Sequence, residues 1–249
     1  MNDALPRLVR GIGSRLRGRG PADIAHLVVK NVVHLFRALT PAARAARRRD
    51  RAFDRRWGTD TGGEVSVHDL GLDIGQLRSA KRYAASEDAT LRDPVTALGL
   101  DPVLFEFIDY GAGKGRAVML AMDMGFRRST GVELSERLVR VAQENLRIFA
   151  RRNPAAAPGR VLHGDATAFR PEGRAILAYF YNPFDARVMA QVRGRLEEVL
   201  GRGTERVVVI YANPEHAEIF AAAPGWARGA QGPGWASFSA DSARFGADL

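Results

Sequence analysis

A glycine-rich turn between two short apolar runs constrains this chain more than any other feature. Residues 107–115 read Phe-Ile-Asp-Tyr-Gly-Ala-Gly-Lys-Gly, and Glu133 follows 18 residues after the last glycine, in Thr-Gly-Val-Glu-Leu. An apolar strand, a tight turn, a helical pattern and a second strand that ends in an acid predict a β–α–β unit. Glycines let a ligand approach the backbone closely, and a carboxylate after the second strand can accept hydrogen bonds from both ribose hydroxyls. The sequence therefore predicts a site for a cofactor that carries a nucleoside.

The residues of this turn distinguish between cofactor classes. A dinucleotide fingerprint requires G-x-G-x-x-G, but here the glycines alternate through 111–115 and Arg116 takes the third fingerprint position. We expect so large a side chain to hinder close helix–strand packing. Asp109 would repel a pyrophosphate, whereas it suits the ammonium and sulfonium groups of S-adenosylmethionine. A phosphate-binding loop would need Ser or Thr after the Gly-Lys pair. A glycine-rich turn with no ligand is the structural alternative, and the two acids argue against it.

The positive charge of the chain is concentrated at one end. The net charge is +9, and residues 1–56 hold 14 Arg or Lys against 4 Asp or Glu, whereas residues 57–249 hold 23 against 24. We therefore predict a basic, partly helical N-terminal extension over 1–56 and a near-neutral domain over 57–249. The extension is either a solvated helical face or an arm that meets nucleic acid, an anionic membrane surface or an acidic protein.

Composition narrows the remaining classes. The chain has no cysteine, so disulfides and thiolate metal sites are impossible, which fits a reducing compartment. The longest apolar segment, 27–36, carries Lys30 and His34 and falls short of the ~20 residues that span a bilayer. No signal-peptide pattern opens the chain, although an Arg-rich start also resembles an organelle transit peptide. We predict a cytoplasmic protein with no metal, and the sequence leaves its oligomeric state open.

From residue 57 onward, helical and strand patterns alternate. A turn-rich connector at 57–63 precedes a helical pattern over 74–100, which we expect to be interrupted near Asp93-Pro94. Strands are predicted at 104–109, 130–133, 161–162, 176–181 and 206–211, and a closing hairpin is predicted around Trp226 and 235–238. This alternation predicts an α/β fold, a doubly wound, mainly parallel seven-stranded Rossmann-like sheet. Ligands of such sheets bind beyond the carboxyl ends of the strands, where four polar residues fall: Asp109, Glu133, Asp165 and Asn182.

These motifs in this order resemble those of class I, Rossmann-like S-adenosylmethionine-dependent methyltransferases, over about 57–249. The stretch 109–115 is similar to the family's first motif, and Glu133 to the acid that holds the ribose diol. Gly164-Asp165-Ala166 is similar to the loop whose acid and following N–H read the adenine edge, although an acid there could also simply begin a turn. The resemblance implies S-adenosyl-L-methionine as cofactor, with these binding residues: Asp109, Gly111, Ala112, Gly113, Gly115, Glu133, Leu134, Asp165, Ala166 and Asn182.

A second motif indicates the acceptor side of the reaction. Asn182-Pro183-Phe184 resembles the fourth-strand motif of methyltransferases that modify nitrogen, and the Asn-containing motif of the nucleosome-core lysine methylases that lack a SET domain. A planar-amino motif usually has two prolines before the aromatic residue, and this chain has one. Alternatively, the Asn-Pro pair does no more than begin a turn. The stretch Trp57-Gly-Thr-Asp-Thr61 and the later Tyr83 resemble segments that close over the cofactor in the second group.

Together these features predict methyl transfer to a nitrogen, on a protein lysine or another macromolecule, with the catalytic residues Asn182, Pro183 and Phe184. The amide carbonyl of Asn182 would accept hydrogen bonds from the acceptor –NH₂, and Asp185 is the candidate base. Desolvation would lower the pKa of an acceptor lysine. The alternatives are a small-molecule methyltransferase, or a nucleic-acid or membrane-surface binder with a non-catalytic domain. An NAD(P) oxidoreductase is disfavoured by the turn. His68, His163 and His216 lack ligand spacing.

Overall fold

The computed structural model describes residues 40–63, 65 and 85–245. The chain divides into two compact units, 1–48 and 49–249, and most of the first lies outside the described residues. Also outside them are the helical pattern before residue 40, the first part of the pattern over 74–100, His68 and Tyr83. The basic N-terminal extension is described only from residue 40 onward.

The second unit contains the predicted seven-stranded sheet. Its strand order is β3-β2-β1-β4-β5-β7-β6. The first five strands pair in parallel, whereas β7 runs antiparallel to both β5 and β6. The prediction of an α/β, mainly parallel sheet with a closing hairpin is confirmed. The strands are β1 (Glu106–Tyr110), β2 (Arg128–Glu133), β3 (Gly159–His163), β4 (Ala175–Tyr181), β5 (Arg206–Ala212), β6 (Ala227–Gly232) and β7 (Trp235–Asp241).

Burial follows the position of each strand in the sheet. Every residue of β1 is buried, as are five of the seven residues of β4 and six of β5. The edge strand β3 buries only its central Val161. A strand that is covered by helices on both faces needs a continuous apolar run, and Ala-Ile-Leu-Ala-Tyr-Phe-Tyr in β4 supplies one. The central strands therefore hold the polar strand ends in fixed positions.

Capping side chains mark the start of two helices. Ser135 caps α4, because its side chain accepts a hydrogen bond from the Leu138 N–H, and Asp185 caps α5 through the Val188 N–H at 2.9 Å. The first residue of α3 follows directly on the glycine turn. The helices are α1 (Pro41–Trp57), α2 (Ala89–Ala97), α3 (Arg116–Asp123), α4 (Glu136–Arg152), α5 (Ala186–Leu200) and the short α6 (Glu218–Ala221).

The predicted interruption at Asp93-Pro94 is wrong. Helix α2 runs through Pro94, whose carbonyl oxygen still accepts the Leu98 N–H at 2.9 Å. Proline removes one helical hydrogen bond, but Pro94 is buried with Leu91 and Val95 against the sheet. Packing of this apolar face keeps the short helix intact.

Candidate cofactor and acceptor site

The glycine turn meets the fourth-strand motif at the point where the strand order reverses. Strand β1 lies between β2 and β4, so the carboxyl ends of β1 and β4 flank the crevice where open α/β sheets bind ligands. A Cβ atom on Gly111 would lie 2.7 Å from Cβ of Pro183, a separation that real side chains do not reach. The first motif and Asn182-Pro183-Phe184 are therefore in direct contact, as two halves of one site.

The turn needs glycine for its backbone angles. Gly111, Gly113 and Gly115 have φ of +84°, +54° and +85°, in the region that L-residues avoid. The N–H groups of Gly111 and Ala112 donate to the Val132 carbonyl at 2.9 and 3.1 Å. These bonds fix the turn to the end of β2. The turn therefore keeps its shape without a ligand.

Glu133 joins the second strand to the glycine turn. Its carboxylate accepts the Gly113 N–H at 2.8 Å and the Ser135 N–H at 2.8 Å, and the Leu134 N–H contributes as well. Burial raises the pKa of Glu133, and these hydrogen bonds act in the opposite direction. A carboxylate has about four acceptor positions, so this group can accept these three N–H groups and still accept one hydroxyl group.

Asp109 is a buried acid with a raised pKa. It is 4% exposed, and burial, followed by repulsion from Glu133, raises its pKa to about 8. No hydrogen bond or ion pair to this carboxyl forms within the part of the chain that the structure describes. An acid in this state favours a cationic ligand, because a nearby positive charge would offset the cost of ionisation.

The third strand contributes a more exposed acid. Asp165 lies just after β3 and accepts the Thr167 N–H and hydroxyl through the same oxygen, Oδ1, at 2.8 Å each. It therefore begins a turn, and its second oxygen is not needed for that turn. Ala166 beside it is buried. His163 also faces this edge, where its Nε2 lies 3.0 Å from the Leu134 carbonyl oxygen.

Asn182 is held by a hydrogen-bond chain with a defined direction. The His216 backbone N–H donates to the Tyr211 hydroxyl, which in turn donates to Oδ1 of Asn182 at 3.2 Å. One lone pair of the predicted acceptor carbonyl is thus already used by Tyr211. Asn182 also has a φ of +45°, a strained conformation that is concentrated at functional sites. Asn182 therefore both begins a turn before Pro183 and holds its amide in a fixed position.

The adjacent strand repeats this arrangement, which the sequence argument missed. Asn213 follows β5, precedes Pro214 and has a φ of +49°. Its side chain bonds to the hydroxyl of Tyr181, the last residue of β4. The signal was a second Asn-Pro pair one strand along. The ends of β4 and β5 are therefore joined by two tyrosine–asparagine pairs.

The upstream segment 58–62 docks on the glycine turn. Asn145 of α4 accepts the Asp60 N–H and donates to the Asp60 and Lys114 carbonyls, all within 3.0 Å. The Lys114 ammonium contacts the Asp60 carboxylate at 3.0 Å and the Gly62 carbonyl at 2.9 Å. Trp57 packs edge-on against Phe149, with ring centroids 4.5 Å apart. The segment thus covers the loop next to the candidate cofactor site, and Trp57 faces α4.

Within this segment, one carboxylate organises the turn. Asp54 accepts hydrogen bonds from the Thr59 hydroxyl, the Thr61 hydroxyl, the Thr61 N–H and the Gly62 N–H, at 2.7 to 3.0 Å. Burial is the largest single influence and raises the pKa of Asp54, but the four hydrogen bonds together outweigh it, so this pKa falls below its usual value. Residues 54–62 therefore form a closed loop at the end of α1.

Arg116 does not obstruct helix packing, contrary to expectation. Its guanidinium is buried and turns toward α1, where it bonds to the Thr61 hydroxyl at 2.8 Å and to Asp50 at 2.5 Å and lies over the Phe53 ring. Close packing is instead provided by Gly115, whose added Cβ would lie 2.8 Å from Leu146 of α4. The arginine links the glycine turn to the upstream helix.

Two features are absent from the described residues. No helix among them is both long and apolar enough to cross a bilayer. Within the same ranges, no three His, Asp or Glu side chains are grouped so that they could hold a metal ion.

No protein-family model and no curated protein matches the chain. Solved structures do resemble it. The magnesium protoporphyrin IX methyltransferase of Synechocystis PCC 6803 is 15% identical, with 62% of this chain and 78% of that chain covered and a TM-score of 0.46. An RNA methyltransferase from Salinibacter ruber is 20% identical, with 67% and 96% covered and a TM-score of 0.46. The ribosomal protein L11 methylase of Lactobacillus delbrueckii subsp. bulgaricus is 13% identical, with 60% and 75% covered and a TM-score of 0.43.

Proposed function

We propose that this protein is an S-adenosylmethionine-dependent methyltransferase that modifies a nitrogen on a protein, of lysine type, or on another macromolecule. The observation that carries the proposal is Asp109, a buried acid beside a glycine turn that has no counter-charge among the described residues. A dinucleotide would bring a pyrophosphate to this turn and increase the repulsion. A cofactor with an ammonium and a sulfonium would relieve it.

The residues around Asp109 fit this cofactor. Glu133 has an acceptor position for a hydroxyl of the ribose diol in addition to its bonds to Gly113, Leu134 and Ser135. Asp165 and Ala166 lie at the next strand end, where the adenine ring would be read. When bound, S-adenosylmethionine supplies a methyl group that its sulfonium has already activated. The protein then needs neither a metal nor a covalent intermediate to make the group reactive.

The chain's own contribution would be to position the acceptor. Tyr211 donates to Oδ1 of Asn182 and so fixes the amide that would accept a hydrogen bond from an acceptor –NH₂. Pro183 and Phe184 touch Gly111 and so place this amide against the cofactor loop. Alignment of reacting groups can lower a barrier by up to ~7–11 kcal/mol. Asp185, which caps α5 through Oδ1, is the candidate base.

Ligand-induced stabilisation tests the choice of cofactor. We would record thermal melts with S-adenosylmethionine, S-adenosylhomocysteine, NAD and NADP. A ligand at ~100 times its dissociation constant should stabilise the fold by ~2.7 kcal/mol. Stabilisation by either adenosyl ligand, and not by NAD or NADP, is the expected result. Stabilisation by NAD alone would show that the proposal is wrong.

The class of acceptor needs a separate experiment. Tritiated S-adenosylmethionine and the protein are incubated with an extract from cells that lack it, followed by nuclease or protease. We expect label that protease releases and nuclease does not. Label in the small-molecule fraction would favour a small-molecule methyltransferase. Cofactor binding without any transfer would favour a non-catalytic adenosyl-binding domain.

A further inference from the structure

Most exposed arginines of helix α1 have no acidic partner among the described residues. Several arginines on other helices do pair with an acid one turn away, as in Arg92–Asp88, Arg140–Glu136 and Arg193–Glu197. On α1, Arg49 forms an ion pair with Glu87. Six exposed arginines have no carboxylate within 4.0 Å among the described residues: Arg44, Arg47, Arg48, Arg51, Arg55 and Arg56.

The acids that could neutralise these arginines face the other way. Asp50 binds Arg116, Asp54 closes the loop at 59–62, and Asp60 binds Lys114. Charges are therefore sorted across the helix, with carboxylates on the side that packs in the second unit and guanidiniums on the solvent side. A helix that needed charge only for solubility would gain from i,i+4 pairs of opposite sign, and α1 has none.

The periodicity of α1 places the arginines in one stripe. At 100° per residue, Arg44, Arg48, Arg51 and Arg55 fall on the same face, with one guanidinium for each helical turn of ~5.4 Å. Beyond the end of the helix, the Arg152 guanidinium lies against Gly58, where an added Cβ would come within 2.5 Å of its central carbon. Arg44, Arg48, Arg51, Arg55 and Arg152 together form the arginine face. The planar guanidinium groups of this row can each donate paired hydrogen bonds to phosphate oxygens.

The same helix lacks what a membrane-binding helix requires. Interfacial helices place large apolar residues between or opposite their basic residues. The large apolar residues of α1 are Phe53 and Trp57, and both pack within the domain against Arg116 and Phe149. The remaining non-basic residues are Pro41, alanines and two engaged acids. A surface with dense guanidinium charge and no apolar anchor complements a phosphate backbone.

We propose that the arginine face is a docking surface for the phosphate backbone of a nucleic acid, without recognition of base sequence. This interaction is independent of methyl transfer, since none of its residues contacts the candidate site's acids or amides. It would hold the domain close to a nucleic acid or to a particle that contains one. Neither the charge of the proposed acceptor nor that of the cofactor requires such a surface.

Fluorescence anisotropy with a labelled 20-nucleotide RNA of mixed sequence tests the proposal across a salt series. Each phosphate contact on a single strand contributes about −0.7 to the slope of log K against log salt. Replacing four arginines of the face with glutamine (R44Q, R48Q, R51Q and R55Q) should lower the magnitude of the slope by ~3 and weaken binding at least tenfold. The matching lysine variant keeps the charge and should retain most of the slope.

A control variant carries the same loss of charge elsewhere on the surface. It replaces four other exposed arginines with glutamine: Arg127, Arg174, Arg202 and Arg244. We expect its binding to change less than threefold. Equal losses in both variants would overturn the proposal, as would no RNA binding by the wild-type protein. Binding to vesicles of phosphatidylserine and phosphatidylcholine in place of RNA would overturn it too. Thermal melts confirm that each variant is folded.

Discussion

The two halves of the candidate site differ in the kind of interaction that forms them. The half at β1 and β2 is built from buried carboxylates, Asp109 and Glu133, whose pKa values are raised by burial. The half at β4 and β5 is built from neutral amides and phenols, with Asn182 and Asn213 both in left-handed backbone conformations. Charge selects a cofactor by its chemical class, whereas an amide fixed in space selects an acceptor by geometry.

This difference explains why the cofactor is easier to infer than the acceptor. Few common ligands bring positive charge and a ribose to one glycine turn, so Asp109 and Glu133 narrow the choice sharply. An amide beside an aromatic ring fits many amino groups. The two halves should therefore respond differently to substitution.

The largest effect is expected on the charged half. Glu133→Ala should weaken S-adenosylmethionine binding by about 100-fold or more, because hydrogen bonds to charged groups contribute ~1.5–3 kcal/mol each. Isothermal titration calorimetry measures this directly. Glu133→Gln keeps the shape and should lose less. A dissociation constant within threefold of wild type for the Ala variant would remove Glu133 from the cofactor site.

The neutral half should affect transfer and leave cofactor affinity unchanged. Asn182→Gly removes the amide and relieves the positive φ, whereas Asn182→Ala removes the amide and keeps the strain. Both should reduce methyl transfer into the extract by ~100-fold, as misplacement of a reacting group does. Cofactor affinity by calorimetry should stay within twofold. A drop in affinity equal to the drop in transfer would mean that Asn182 belongs to the cofactor half.

Cofactor affinity should also depend on pH through Asp109. Burial raises the pKa of Asp109 from 3.8 to about 8. In the ligand-free fold this carboxyl is therefore mostly protonated well below pH 8, and it ionises as the pH rises toward 8. A cationic ligand needs the ionised form. Affinity should therefore rise by up to ~tenfold per pH unit between pH 6 and 8, then level off. Calorimetry across this range checks the slope, and Asp109→Asn should abolish it. A flat profile in the wild-type protein would contradict the role of Asp109.

The smallest effect is expected for the residue that orients the amide. Tyr211→Phe removes the hydroxyl between His216 and Asn182 and should reduce methyl transfer about fivefold, the equivalent of ~1 kcal/mol. In an Asn182→Gly background the same change should have no further effect on transfer, because the amide is already absent. Tyr179→Phe, which removes a buried hydroxyl bonded to Thr90, is the matched control. Additive losses would show that Tyr211 acts on stability alone.

Sequence reasoning reached the parts of this molecule that depend on local pattern. The glycine turn, the alternation of strands and helices and the closing hairpin follow from residue types at fixed spacings. Contacts between distant segments were beyond it. Nothing local distinguishes an arginine that blocks packing from one that reaches 66 residues back to Asp50. The pairing of Tyr211 with Asn182 likewise depends on which strands are neighbours.

The closed loop at Asp54 determines where the chain can be shortened. Removal of residues 1–56 would delete Asp50, Phe53 and Asp54 together, and with them the carboxylate and ring that contact the Arg116 guanidinium and the acceptor of the Thr61 and Gly62 N–H groups. A truncation there would damage the cofactor loop along with the basic arm, and its result would mix two causes. A cut just before Arg49, at the division between the compact units, spares these contacts. The shortest self-sufficient form of the domain should therefore begin inside helix α1.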